Sequence, residues 1–268
     1  MYYSKQIFPK SVKALKKGVV SAIKLYRDKV LFKRYLRNDI PVLIYQMGKV
    51  ASKSVFKSLS HQYSGVVLHA HYFNSNHADW RIRRLYHWVI EEAMPLNVIS
   101  LTREPIGRNV SAFFQNFERD TGVPYNDANF SHEELKTIFL TKFKHEIPLK
   151  WFDKNINENF GIDVYANSFP KCGYAEYSHK NIRLLVMRSE IGDNEKVKVL
   201  RDFLKLTEFQ IINRNISEEK EYALGYKDFR KNVKLPCDYI DKMCKSKYFK
   251  YFYDEDDINA VRKNWGES

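Results

Sequence analysis

The chain has 268 residues, a formal net charge of +13, and 44% hydrophobic and 29% charged residues. This hydrophobic content suffices for a sizeable core and disfavours a disordered chain, while the positive charge favours anionic partners. The three cysteines have neither disulfide-framework nor metal-ligand spacing, which indicates reduced thiols. The sequence contains no run of about 18 apolar residues and no signal-peptide core with a clear cleavage site, so it predicts a cytoplasmic protein.

The positive charge is concentrated in residues 1–38, which hold eleven Lys or Arg residues and a single Asp. Apolar residues recur at steps of three and four between residues 11 and 37, a spacing that predicts a basic helical segment. Two interpretations stay open: peripheral contact with the inner surface of a membrane or with a partner, or an ordinary helix that covers the domain. Because residues 39–268 are only mildly basic, the charge does not indicate nucleic-acid binding.

Residues 39–268 predict a single α/β domain that begins with three strand–helix pairs. Short apolar runs that suit buried strands alternate with segments of helical spacing. The predicted strands are residues 41–46, 65–69 and 97–102, and the predicted helices are residues 53–61, 79–93 and 105–119. Asp79 is an expected helix N-cap, and Pro105 suits the first turn of its helix.

The second half of the chain adds a fourth parallel strand at residues 182–187 and several helices. Residues 162–165 and 174–179 favour either a small hairpin or an edge insertion. The remaining helical segments are predicted at residues 131–160, 194–206 and from 217 onward. Together these elements predict a P-loop-like three-layer α/β/α sandwich with a central parallel sheet and a helical C-terminal half.

The segment between the first strand and its helix, residues 46–54, predicts a phosphate site. A helix N-terminus offers unpaired N–H groups and a partial positive charge. The segment adds small residues for close backbone approach, a mobile charge and hydroxyl donors: Gly48 and Ala51, Lys49, and Ser52 and Ser54. It is not a Walker A motif, because Leu43 stands where the first glycine of that motif would be. This difference disfavours a nucleoside triphosphate kinase.

A second anion site is predicted after the third strand. That strand leads into Arg103, and Ser111 follows eight residues later on the next helix. In an open α/β sheet, the carboxyl end of a strand faces the crevice where ligands bind. A guanidinium group there can bind a phosphate bidentately, and a hydroxyl group can donate to the same phosphate.

Together the two motifs resemble the donor site of sulfotransferases that use 3′-phosphoadenosine 5′-phosphosulfate (PAPS). Lys-x-x-Ser-x-Ser from Lys49 is similar to their 5′-phosphosulfate loop, and Arg103 with Ser111 is similar to their 3′-phosphate motif. The resemblance implies that PAPS is a co-substrate and that its 3′-phosphate lies at Arg103 and Ser111. It implies that the 5′-phosphosulfate is held by Gly48, Lys49, Val50, Ala51, Ser52, Lys53 and Ser54.

The resemblance extends over roughly residues 40–265. Residues 185–190 are similar to the fourth-strand motif of that superfamily, which ends in Glu, and residues 150–165 resemble a bacterial family named for capsular polysaccharide synthesis. The Arg-x-Gly-x-x-Gly loop of cytosolic sulfotransferases has no match, so the sequence does not predict the adenosine contacts. The resemblance implies a saccharide acceptor, such as a capsular or other surface polysaccharide.

Two histidines at the end of the second strand, His69 and His71, are candidates for the base that deprotonates an acceptor hydroxyl. Alternation along a strand places both on one face. The pair resembles the His-Gly-His of heparan sulfate 2-O-sulfotransferases, which implies that His71 is the base and that His69 supports it or contacts the acceptor. Structural packing of the pair stays an alternative. No metal is expected, because no Cys or carboxylate closer in sequence than Asp79 completes a site.

The sequence therefore predicts a PAPS-dependent carbohydrate sulfotransferase that acts by in-line transfer, with His71 as base and Lys49 neutralising the leaving group. Two other hypotheses stay open. One is a nucleotide-dependent, kinase-like P-loop enzyme, which a requirement for magnesium would support. The other is a non-catalytic protein that binds anions or membranes through residues 1–38, for which replacement of His71 would have no effect.

Overall fold

The computed structural model of the protein describes residues 26–34, 36–37, 39–212 and 222–266. Most of the basic segment predicted at residues 1–38 lies outside this range. Its described part, residues 26–34 and 36–37, is helical and packs Phe32 and Leu36 against the core. Tyr26 and Val30 of the same segment are exposed.

A five-stranded, mostly parallel sheet forms the centre of an α/β fold. Its strands are β1 (Val42–Tyr45), β2 (Val67–Ala70), β3 (Leu96–Thr102), β4 (Tyr174–His179) and β5 (Ile182–Arg188). They lie in the order β2-β1-β3-β5-β4, and only the pair β4–β5 is antiparallel in this sheet. Every residue of β1 and β3 is buried, as expected for apolar runs in the middle of a parallel sheet.

Helices connect the strands and make up most of the C-terminal half. They are α1 (Ser52–Gln62), α2 (Trp80–Tyr86, continued by the π-helical turn His87–Glu91), α3 (Pro105–Gln115), α4 (Phe117–Thr121), α5 (His132–Lys142), α6 (Ile147–Trp151, continued by the π-helical Phe152–Asn157 and by Glu158–Phe160), α7 (Asp193–Leu204), α8 (Ala223–Asn232), α9 (Cys237–Cys244), α10 (Lys247–Phe252) and α11 (Glu255–Trp265). As predicted, Asp79 caps α2, where it accepts a hydrogen bond from the Arg81 N–H at 2.8 Å. None of the helices in the described ranges has both the length and the apolar character needed to cross a bilayer.

The predicted α/β class, the first three strand–helix pairs and the fourth parallel strand are confirmed. β4 is an edge strand that pairs with β5. The strand considered at residues 162–165 is wrong, because Val164–Ala166 is a 3-10 turn in which the Asp163 side chain accepts from the Tyr165 N–H. The helix predicted at residues 105–119 is interrupted at Asn116, between α3 and α4.

The sheet topology gathers the predicted site residues at one edge. β1 is hydrogen-bonded to β2 on one side and to β3 on the other, so the carboxyl ends of these three parallel strands are neighbours. The chain leaves β1 towards β2 and returns on the other side as β3, and such a reversal opens a crevice at the carboxyl edge. The residues after β1, His71 after β2, and Arg103 after β3 all lie at this edge.

Candidate active site

The loop between β1 and α1, residues 46–51, has an unusual backbone. Gly48, Lys49 and Ala51 all have positive φ, at 82°, 64° and 58°. This left-handed conformation costs a residue with a side chain about 1–3 kcal/mol, and it tends to persist at functional sites. Gly48 also approaches the His71 ring so closely that a Cβ there would lie 3.4 Å from His71 Cε1. The β1–α1 loop is therefore bent sharply and packed against His71.

The N-terminus of α1 lacks a side-chain cap, whereas that of α3 has one. Ala51 holds the N-cap position of α1, and no acidic residue lies in the first turn. In α3 the Glu104 carboxylate accepts hydrogen bonds from the N–H groups of Ile106 and Gly107, each at 2.6 Å. Burial raises the pKa of Glu104, although these two N–H donors and the Arg103 charge act in the opposite direction. Of these two helix ends, only α1 presents uncapped N–H groups and a partial positive charge to an anion.

Arg108 holds the β1–α1 loop in place from α3. Its guanidinium is buried and donates to the Met47 carbonyl at 2.8 Å and to the Gly48 carbonyl at 3.2 Å. Burial lowers the pKa of Arg108 to about 10, so the side chain remains charged at neutral pH. The charged Arg108 side chain thus holds the strained β1–α1 loop in its conformation.

Replacement of Arg108 by methionine is expected to lower the free energy of unfolding by about 2–4 kcal/mol, because two charge-assisted hydrogen bonds are lost and two loop carbonyls lose their partner. Denaturant unfolding followed by circular dichroism measures the change. Arg119→Met is the matched control, since Arg119 is exposed and pairs only with the adjacent Asp120 among described carboxylates. Equal losses in the two variants would show that Arg108 does not support the loop.

Gln46 links the β1–α1 loop to His69. Its side-chain oxygen accepts a hydrogen bond from the Gly48 N–H, and its side-chain nitrogen lies 3.0 Å from His69 Nε2. Ser52 Oγ also lies 3.0 Å from His69 Nε2. An amide nitrogen can only donate, so the network assigns Nε2 as an acceptor and His69 as a neutral imidazole. A base would need the Nε2 lone pair to accept a proton. In His69 this lone pair already binds Gln46 and Ser52, so His69 orients these two side chains.

Burial, with smaller contributions from His71 and Lys53, lowers the pKa of His69 to about 4. The unfolded chain therefore binds this proton more readily than the folded protein between about pH 6.5 and pH 4. We expect the stability that depends on neutral His69 to be complete above pH 6.5 and to fall by roughly 2–3 kcal/mol as the pH drops through this window, allowing for solvent screening. Unfolding curves of the wild type and His69→Gln should diverge there, and parallel curves would contradict the inference.

His71 lies just beyond β2 and is exposed to solvent. Its Nδ1 is 2.8 Å from the Gln46 carbonyl oxygen, which can only accept, and 3.5 Å from the Gln46 side-chain nitrogen, which can only donate. The shorter contact decides the tautomer, so the proton is assigned to Nδ1 and Nε2 retains a lone pair. The rings of His69 and His71 have centroids 5.2 Å apart, so the two histidines are close neighbours. Of the two, His71 is the one with a ring nitrogen available to accept a proton.

Arg103 joins the end of β3 to the β1–α1 loop. Its backbone N–H and carbonyl both hydrogen-bond to the Tyr248 hydroxyl, at 3.2 and 3.0 Å. The guanidinium donates to the Lys49 carbonyl at 3.0 Å and to the Tyr226 hydroxyl at 3.3 Å. A guanidinium has five N–H donors, so these contacts leave others for an anion. The structure therefore brings two of the predicted anion-binding residues, Arg103 and Lys49, into one local arrangement.

The hydroxyl groups of the predicted phosphate site are placed less favourably. Ser52 is buried against His69, and Ser54 Oγ donates to the Ala51 carbonyl at 3.2 Å. Ser111 is buried on α3 with 9% of its surface exposed. Lys53 is exposed at the start of α1, and Val50 is buried behind the loop. In this arrangement the loop offers an anion its backbone and its lysines rather than its hydroxyl groups.

Lys49 and His71 line one open cleft of about 740 Å³, which α3, the α5–α6 connection, α6 and α9 complete. Its charged lining residues in the described part of the chain are Lys49, Arg108, Lys144, Lys150, Lys154 and Lys242, and the single acidic residue Glu146. A smaller cleft of about 250 Å³ lies at Arg103 and is lined by both signs of charge, including Arg188, Arg230, Glu104, Glu190 and Asp257. The larger cleft is thus strongly cationic and contains the exposed histidine.

Several residues of this site were not assigned by the sequence. Arg108 on α3 donates to the Met47 and Gly48 carbonyls, and Tyr248 bonds to Arg103 from 145 residues away. These contacts are long-range, so no local spacing indicates them. Gln46 lies within the predicted phosphate segment, but its contact with His69 on β2 also depends on the fold. Lys150 and Lys154 are the exception, because their spacing of four residues on a predicted helix indicates that both side chains lie on one face.

Residues 125–254, slightly under half of the chain, match a family described as "Putative capsular polysaccharide synthesis protein". No curated protein and no solved structure matches the chain. The matched range contains the helices from α5 to α10, and with them the four lysines that line the cleft from these elements. The β1–α1 loop, His71 and Arg103 precede it. The chain is therefore similar to proteins assigned to capsular polysaccharide synthesis in the part that completes the cationic cleft.

Proposed function

We propose that the protein is a sulfotransferase that moves the sulfuryl group of PAPS to a hydroxyl of a saccharide. One observation carries this proposal: His71 and Lys49 line the same cationic cleft. His71 is the candidate base, and Lys49 belongs to the loop that leads into the uncapped N-terminus of α1. A transfer reaction between an anionic donor and a hydroxyl needs these two functions next to each other.

The donor fits the arrangement at the carboxyl edge of the sheet. The uncapped N-terminus of α1 and the Lys49 ammonium would hold the 5′-phosphosulfate, as the loop of a P-loop-like sandwich does. Arg103, which already reaches the Lys49 carbonyl, would hold the 3′-phosphate with its remaining donors. Ser111 would approach this phosphate only after a rearrangement, because it is buried.

The reaction would follow from the assigned protonation of His71. The acceptor oxygen forms a bond to sulfur while its proton moves to His71 Nε2. The bond between sulfur and the bridging oxygen of the donor breaks, and its electron pair stays on the departing phosphate. The Lys49 ammonium stabilises this developing negative charge. Because Nδ1–H is fixed on the Gln46 carbonyl, His71 keeps the orientation that this step needs.

The saccharide acceptor is supported by the match to the capsular polysaccharide family and by the lining of the cleft. Tyr72, which follows His71, lines the same cleft and is 68% exposed. An exposed aromatic ring in a cleft suits the apolar face of a sugar ring. A kinase-like enzyme is supported less well, because Glu146, the one carboxylate among the described lining residues, is paired with Lys150.

A transfer assay tests the proposal. The protein is incubated with PAPS labelled in its sulfur and with a panel of acidic and neutral polysaccharides, in the presence of a chelator. We expect labelled sulfate on the polysaccharide, formed by the wild type and lost in His71→Ala. Sulfate transfer that does not depend on His71 would contradict the proposal. Transfer of the γ-phosphate in a parallel reaction with magnesium ATP and no chelator would also contradict it.

A further inference from the structure

The cationic cleft has more positive charge than the donor requires. In the proposed function, the donor anions occupy the N-terminus of α1, Lys49 and Arg103. Four further lysines line the cleft from other elements: Lys144 before α6, Lys150 and Lys154 on α6, and Lys242 on α9. All four side chains are exposed, so their charges are directed to solvent or to a ligand rather than into the core.

Glu146, the one carboxylate among the described residues that line the cleft, leaves most of that positive charge uncompensated. Glu146 pairs with Lys150, whose hydrogen bond is the main cause of the lowered pKa of Glu146, and the charges of Lys150, Lys242 and Lys154 lower that pKa further. These three lysines therefore lie close enough to act on one side chain. Lys144, Lys154 and Lys242 form no ion pair with a carboxylate of the described residues. Like charges that repel one another in the free protein favour a ligand that carries several negative charges.

The same cleft offers apolar contacts for rings. Tyr72 is 68% exposed and Ile147 is 40% exposed, and both line the cleft together with Ala112. A site that combines exposed apolar side chains with several point charges suits a chain of sugar rings bearing acidic groups.

We infer that the acceptor is an anionic saccharide chain, whose carboxylates or phosphodiesters bind Lys144, Lys150, Lys154 and Lys242 while one of its hydroxyls lies at His71. This inference rests on the proposed function for the role of His71, but the binding of an acidic saccharide does not depend on it. Recognition of charge along the chain would place successive residues of a polymer against the cleft and present a hydroxyl to the base.

The test compares oligosaccharides of equal length in a binding assay at low and moderate salt. The probes are an unsulfated hexasaccharide that alternates glucuronic acid with N-acetylglucosamine, a phosphodiester-linked oligosaccharide, the neutral N-acetylglucosamine hexamer and a single-stranded hexanucleotide. The variant replaces Lys144, Lys154 and Lys242 with glutamate. Its matched control replaces three exposed lysines outside the cleft, Lys171, Lys250 and Lys263, and so makes the same change in net charge.

We expect at least one acidic oligosaccharide to bind more tightly than the neutral hexamer and to lose about 10- to 100-fold in affinity in the cleft variant, with a weaker salt dependence. The control should lose little. Equal affinity for acidic and neutral chains, equal losses in the two variants, or preferential binding of the hexanucleotide would overturn the inference.

Binding of 3′-phosphoadenosine 5′-phosphate (PAP), the product of the donor, separates this inference from the proposed function. The cleft variant should bind PAP within about threefold of the control variant, which has the same net charge, because none of the three cleft lysines is a proposed ligand of the donor. Lysine-dependent binding of an acidic chain by a protein that does not bind PAP would support the inference and reject the proposed donor. PAP binding without any preference for acidic chains would support the proposed donor and reject the inference about the acceptor.

Discussion

Replacement of His71 by alanine is expected to slow sulfuryl transfer by about 10²- to 10⁴-fold, the usual contribution of a general base. The reason is the hydrogen bond from Nδ1 to the Gln46 carbonyl, 2.8 Å long, which leaves the Nε2 lone pair for the acceptor proton. The proposed phosphate ligands are the N–H groups of α1, Lys49 and Arg103, and not the imidazole ring of His71. PAP should therefore bind the variant within about threefold of the wild type. Single-turnover transfer from PAPS and PAP titration measure the two quantities.

His61→Ala is the matched control for His71, because His61 is exposed in the last turn of α1 and bonds only to the Lys57 carbonyl among described groups. It should leave the rate unchanged. A rate in His71→Ala equal to that of the wild type would show that His71 is not the base. Loss of PAP affinity in parallel with the rate would show that the histidine binds the donor instead.

Replacement of Arg103 by alanine should weaken PAP binding by about 100-fold, the loss expected when a charge-assisted, bidentate contact to a phosphate is removed. Adenosine 5′-phosphate lacks the 3′-phosphate, so its affinity should hardly change. Because Arg103 also donates to the Lys49 carbonyl, this second ligand reports on any disturbance of the β1–α1 loop. Isothermal titration calorimetry with both ligands measures the difference.

Arg201→Ala provides the control for a change in net charge, since Arg201 is exposed on α7 and far along the chain from the loop. Its affinity for PAP should equal that of the wild type. If Arg103→Ala weakens both nucleotides equally, then the arginine supports the loop and does not recognise the 3′-phosphate.

Much of the fold could be predicted from the sequence because its signals are local. The continuous apolar runs of β1 and β3 are buried on both faces in the sheet, and Asp79 caps α2 as its position suggested. The incorrect strand at residues 162–165 shows the limit of this approach. Val164 and Tyr165 have high strand propensity, but the Asp163 side chain turns the backbone, and Tyr165 packs against Tyr251 at 4.8 Å between ring centroids.

The candidate site was predicted only where strand ends and helix starts indicate it. Lys49, His71 and Arg103 follow the three neighbouring strands β1, β2 and β3, so the topology alone brings them together. The support for these residues could not be predicted. Arg108 and Tyr248 act through contacts to backbone carbonyls, and such contacts depend on tertiary packing rather than on spacing. Ser52 and Ser54, predicted to donate to a phosphate, instead contact His69 and the Ala51 carbonyl.

Calorimetric titration of the wild-type protein with PAP and with adenosine 5′-phosphate, both without magnesium, measures whether the carboxyl edge of this sheet is a PAPS site. PAP should bind at least about 100-fold more tightly than adenosine 5′-phosphate, because Arg103 and the uncapped N-terminus of α1 would each bind one of its two phosphate groups. Equal affinity for the two nucleotides would contradict the proposal that this protein is a sulfotransferase.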